Sequence, residues 1–322
     1  MRVSFLLAAA TLALAAGPDA IPLPNGLRPA GAALDGVTLA VWGAGGVALY
    51  DLDAGRWSPL MPGSYGEGGA FAGAGGDGAA GLVLAGARGL TWRRAPGWRE
   101  QMIDAGVVSR DVFFRVLDGR RGVLVLHRGG QLRFYGALNH GGGSWAARDL
   151  YSFYSAVEQG GLLAVDVDRD GRQDLLCGNY WLRHPARSEE SWRLFAIKLW
   201  SEDPLSALTA WAALPSGDLA AAQRASSPAR LAWYRRPTDP RQLWEERVLD
   251  TGLDQPATLA AVPGGGLLVA ERGPRGRVLL YPANFAGRPR LLARGRPVVK
   301  GFLVRGRLLA VRERGIEWMP IP

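Results

Sequence analysis

One unit recurs seven times along this chain: a tight turn containing Gly, an apolar triplet, a small spacer, and a strand ending in aromatic residues. The first three copies run from Asp35-Gly36 to Tyr50, from Asp77-Gly78 to Trp92, and from Asp118-Gly119 to Tyr135. The others run from Asp170-Gly171 to Trp181, Ser216-Gly217 to Tyr234, Gly264-Gly265 to Tyr281 and Arg305-Gly306 to Trp318. Successive aromatic ends lie from the high thirties to the low fifties of residues apart, the length of a four-stranded propeller blade of about 40 to 50 residues. The chain is therefore expected to be all-β, a seven-bladed β-propeller over residues 20–322. The blades fall at approximately 28–65, 66–108, 109–153, 154–205, 206–253, 254–297 and 298–322.

The last unit stops at Pro322 with three strands, so the fourth is expected from the N-terminal segment Ile21 to Leu27, which would close the ring and leave no long exposed edge. The outer strand of each unit starts near a second aromatic, as at Trp57, Trp98, Trp145, Trp192 and Trp244. These tryptophans are expected to fill the wedges between blades, with a stacking platform for sugars as the alternative.

The fourth unit carries Asp166-Val-Asp168-Arg-Asp170-Gly171-Arg172-Gln-Asp174, with carboxylates at positions 1, 3, 5 and 9 around a Gly at 6. Ca²⁺ takes six to eight oxygens, alternate side chains of a tight turn point inward, and Gly lets the backbone turn sharply. The carbonyl of Arg172 would add a ligand at position 7. The run that follows, Leu175-Leu-Cys177-Gly178-Asn-Tyr-Trp181, reads as a strand and not as the exiting helix of an EF-hand. One structural calcium ion is expected here.

The segment from Val165 to Trp181 resembles the FG-GAP or VCBS repeat of integrin-like bacterial propellers and of proteins similar to aldos-2-ulose dehydratase. The other units keep the turn and lack the preceding Asp pair and the closing Asp. The resemblance thus transfers a calcium role to Asp166, Asp168, Asp170 and Asp174 alone, and the other blades are expected to hold their turns by hydrogen bonding.

Residues Met1 to Ala16 read as a secretory signal peptide: Arg2, an apolar run from Val3, small residues at Ala13 and Ala15, then Gly17-Pro18. No later stretch reaches the length of about 20 apolar residues that a membrane span needs. The mature protein is expected to be secreted or periplasmic and monomeric. The single cysteine, Cys177, excludes an internal disulfide and reads as a small core residue. The net charge of +9 does not indicate nucleic acid, because the arginines are scattered through every segment and no nucleic-acid motif is present. Attraction to acidic polysaccharide or an anionic cell surface fits better.

No paired-histidine metal motif, nucleophile elbow or phosphate-cradling loop exists. His140 reads as solvent-facing and His184-Pro185 as a strand terminus. Propeller geometry supplies a search rule, since residues just before each innermost strand converge on one mouth of the central channel. Counting back from each turn gives Arg28, Glu67, Arg110, Asp111, Glu158, Gln159, Asp203, Asp254, Gln255 and Lys300, with Tyr154 from a longer connection. Carboxylate, guanidinium and amide groups together suit a sugar, and Arg110, Arg28 or Lys300 would hold a uronate carboxylate. Solvated rim residues are the plainer reading of each taken singly.

These features define a binding or interaction module for carbohydrate or another extracytoplasmic protein. The alternative, implied by the family resemblance, is a sugar lyase or dehydratase with Asp111, Glu158 or Asp254 as base and Arg110 or Lys300 holding the oxyanion. A quinone-holding redox propeller is a third class for which no specific residue pattern is present.

Overall fold

The computed structural model describes residues 20–322 apart from 73–80, 128–129, 139–143, 155–158, 188–189, 200–207 and 224–226. Residues 1–16, expected from the sequence to be a signal peptide, the Asp77-Gly78 turn, His140, Glu158 and Asp203 lie outside the described residues. Among those described, 28 strands pair into seven four-stranded antiparallel sheets, and no helix is present that is long and apolar enough to cross a membrane.

Six of the sheets are meanders of four consecutive strands, and the seventh joins the last three strands of the chain with the first. Blade one is β2 (Arg28–Asp35), β3 (Thr38–Ala44), β4 (Gly46–Asp51) and β5 (Arg56–Trp57). The inner strands of blades two to four are β6 (Gly69–Ala72), β10 (Val112–Leu117) and β14 (Leu163–Val165). Those of blades five to seven are β18 (Leu208–Ala213), β22 (Pro256–Ala261) and β26 (Val298–Val304). Neighbouring inner strands pack side by side around the ring, which closes where β2 meets β26.

Turn chemistry sets the hairpin at the far end of each inner strand. Asp118-Gly119 and Arg305-Gly306 each place two consecutive residues at positive φ, with values of 50° and 74° and of 49° and 74°. That is the two-residue geometry whose twist matches antiparallel strands. Blade seven is completed as expected: β1 (Ile21–Pro22) pairs with β28 (Gly315–Pro320), Ile21 opposite Ile316.

The core is a set of wedges between blades. Trp181, on β16 (Tyr180–Arg183), is fully buried against Leu219, Ala221 and Tyr234 of blade five. Its indole N–H donates to the Pro240 carbonyl at 3.2 Å. Trp42 fills the wedge between blades one and two beside Leu82 and Leu84, donating to the Gly66 carbonyl at 3.0 Å. Of the tryptophans at the outer strands, Trp192 and Trp244 are buried in such wedges, and Trp98 and Trp145 pack against them partly buried. Trp57 is only half-buried, on the short outer strand of blade one. Cys177 is a buried core residue, as its pattern indicated.

Candidate functional site

The seven inner strands enclose one axial cavity of about 820 Å³. At the end where these strands begin it is lined by Glu67, Arg110, Asp111, Gln255 and Lys300, all five from the set that the counting rule selects. The other members fall elsewhere. Arg28 is exposed at the start of β2, Tyr154 is 74% exposed, and neither lines the cavity. Asp254 is buried beside it, its carboxylate 3.5 Å from the Arg275 guanidinium and its amide donating to Glu271 at 2.7 Å. Gln159 is buried, and its side-chain carbonyl accepts from the Asn179 amide at 3.2 Å.

Arg272 is a charged residue at this mouth that the rule misses. It follows β23 (Leu267–Glu271), the second strand of blade six, and antiparallel pairing of Pro256 with Glu271 returns it to the mouth where β22 begins. Scanning the residues after each second strand, as well as those before each first, would have found it. Its guanidinium donates to the carbonyls of Ala30 in blade one and Val299 in blade seven, each at 3.1 Å, and pairs with Glu67 ahead of blade two. One side chain from blade six therefore ties three other blades together across the mouth.

Asp111 accepts from the Gly161 amide of the next blade at 3.1 Å. Gly160 lies alongside: a Cβ there would come within 3.0 Å of the Arg110 guanidinium and 3.1 Å of Asp111. Enclosure in the channel raises the Asp111 carboxyl above its ordinary 3.8, against the pull of the Gly161 amide, Arg110 and Lys300. The same enclosure lowers Lys300 below 10.5, with Arg272 adding to the shift and Asp111 and Glu67 opposing it. Lys300 nonetheless keeps its surface open to the cavity, and among the described residues its ammonium makes no hydrogen bond or ion pair. Among the described residues, the charged side chains lining this mouth are Arg110, Arg272 and Lys300 with Glu67 and Asp111.

At the opposite end of blade four, Asp166, Asp168 and Asp174 bring one carboxylate oxygen each within 4.8 Å of one another. The turn that does this has Gly171 at φ +85°, and Asp166 accepts the amides of Asp170 and Gly171 at 3.0 and 2.9 Å. Asp174, fully buried at the start of β15 (Asp174–Cys177), accepts from Val167 at 3.0 Å and His184 at 2.7 Å. Burial pushes its carboxyl up to about 6 despite those bonds. Asp168 is 2.6 Å from Arg183, while its other oxygen is buried with no partner. The structure places Asp170 outside the triad: it accepts from the Arg172 amide at 2.9 Å and pairs with the Arg172 guanidinium at 2.5 Å. An all-oxygen donor set with one orphaned buried oxygen fits a hard cation.

The fold and this axial cavity define a seven-bladed β-propeller with a charged mouth. No protein-family model matches the chain, and no curated protein matches it in sequence. Solved structures share the fold. Sqt1 of Saccharomyces cerevisiae aligns over 92% of this chain and 97% of its own at 10% identity, with a TM-score of 0.56. YCF48 from Cyanidioschyzon merolae aligns over 94% and 98% at 12% identity, with a TM-score of 0.60.

Proposed function

We propose that this chain is an exported binding module of the FG-GAP/VCBS type. Its axial mouth takes a carboxylate-bearing carbohydrate of the uronate class, and its blade-four loop holds one structural calcium ion. The observation that carries the reading is the gathering of Arg110, Lys300 and Arg272 with Glu67, Asp111 and Gln255 on one enclosed cavity. Cations lining a cleft with low-dielectric walls attract a carboxylate more strongly than on a flat surface, while carboxylates accept from hydroxyls and an amide both donates and accepts. Calcium in the loop would supply the positive charge that three converging carboxylates lack.

A glycan array with the purified protein, followed by calorimetry on the best uronate, tests this. Losing a charge-assisted bond costs about 1.5–3 kcal/mol, so Lys300→Gln is expected to weaken binding tenfold or more. Arg247→Ala, on the outer strand β21 (Glu245–Leu253), is expected to leave it unchanged. Because the surrounding channel walls desolvate and lower Lys300, affinity should also fall as pH rises, before the ordinary lysine range near 10.5 is reached, and Lys300→Gln should abolish that fall. Binding lost in Arg247→Ala and retained in Lys300→Gln would place the site on the propeller's side. Consumption of the sugar in the cell would favour the lyase reading, with Asp111, already poised toward protonation, as the base.

Export is tested by N-terminal sequencing of secreted protein, with a start close to Ala16 or Gly17 expected. A product found intact from Met1 in the cytoplasm sinks that part of the reading.

A further inference from the structure

The chemistry of the cavity changes along its axis, and on β6 and β26 the change follows the period-two alternation of the strand. Residues i and i+2 of a strand share a face and lie about 6.6 Å apart along it. Two residues past the polar or small positions of the mouth, five of the seven blades carry large apolar residues, whereas Gly31 is followed by Ala33 and Gln255 by Ala257. On β26, Lys300 is followed by Phe302. Asp111 is followed by Phe113, Gly69 by Phe71, Gly161 by Leu163 and Thr209 by Trp211, and all ten residues line the cavity. The mouth is therefore charged and the throat below it is aromatic and aliphatic.

We propose that the ligand is a monoanionic amphiphile, its carboxylate held beside Lys300 and an apolar group seated among Phe71, Phe113, Leu163 and Phe302. This rests on the axial cavity being the ligand site, as argued above. Three observations support it. The first is size: about 820 Å³ matches pockets that enclose drug-sized ligands, which is more room than one sugar ring fills.

The second is incomplete burial. One side of each throat residue packs into a wedge, Phe71 against the cluster of Trp42 and Leu84, and Phe302 against that of Leu309 and Val311. Phe71, Phe113, Leu163 and Phe302 are all only half-buried, and the surface left over lines the cavity. Covering such surface with a ligand is favourable in proportion to the area removed from water.

The third is charge placement. Among the described residues the Lys300 ammonium at the mouth has no hydrogen bond or ion pair, and one anion would supply that partner. The sixth charged lining residue, Asp35, lies at the far end of β2, where a second anion would be repelled. The head is thereby directed to Lys300 and the apolar end into the throat.

Calorimetry with three probes tests this: D-glucuronate, phenyl β-D-glucuronide and phenyl β-D-glucoside. Phenyl glucuronide is expected to bind at least tenfold more tightly than glucuronate, with a more negative heat-capacity change, and at least tenfold more tightly than the uncharged glucoside. Phe302→Ser and Phe113→Ser should each erase the gain from the phenyl group and leave glucuronate binding in place. The wild-type comparison decides the matter even where a variant fails to fold. Equal affinity for glucuronate and its phenyl glycoside overturns the amphiphile and leaves the uronate reading standing. No binding of any of the three overturns both.

Discussion

Replacing Trp181 with Ala is expected to lower the unfolding free energy by about 3–5 kcal/mol, the range for a large aromatic removed from a core. Its indole stacks on Phe195 with centroids 4.8 Å apart and reaches into the hydrophobic cluster of blade five. It also satisfies the Pro240 carbonyl, which the indole of Trp244 bonds as well, at 3.1 Å. The substitution thus opens a cavity at the joint between two blades and removes a buried hydrogen bond. The midpoint of urea unfolding measures it. Trp57→Ala serves as comparison, because that ring is half-buried on an outer strand and its loss should cost clearly less. Equal midpoints for the two variants would show that the blade four–five wedge does not carry the stability assigned to it.

Calcium withdrawal is the second large effect expected. A ligand present at 100 times its dissociation constant stabilises the folded state by about 2.7 kcal/mol, so chelation should lower the melting temperature by several degrees and added calcium should restore it. Asp168→Ala should reproduce most of that loss and remove the response to calcium, since the variant takes away the side chain whose buried oxygen has no protein partner. Titration calorimetry should give one ion per chain. A melting temperature indifferent to both chelator and calcium would falsify the metal assignment, and more than one ion would show that turns without the Asp pattern also bind.

The loop illustrates how local spacing becomes legible. Positions 1, 3 and 9 converge because a tight turn around Gly171 and the start of β15 fix their directions within nine residues. Position 5 does not join them. The neighbouring Arg172 and Arg183 compete for the Asp170 carboxylate and hold it below the usual carboxylate range through the Arg172 amide and both guanidinium groups. Spacing alone carries no information on that competition.

The sequence by itself determined the blade count, the hairpin turns at Asp118-Gly119 and Arg305-Gly306, closure by Ile21, and five mouth residues, four of which precede inner strands while Lys300 lies near the start of β26. All of these follow from period-two alternation and from turn residues that act over a few positions. Tertiary structure alone decided the rest. Arg272 reaches the mouth because β23 runs antiparallel to β22, and its partners Ala30 and Glu67 lie more than 200 residues away in the chain. Asp254, two residues before β22, is turned aside to Arg275, while Gln255 at φ +52° faces the cavity. The desolvation that shifts Asp111 and Lys300 likewise arises only when seven inner strands surround them, since it depends on what the whole ring brings near and not on the residues adjacent in sequence.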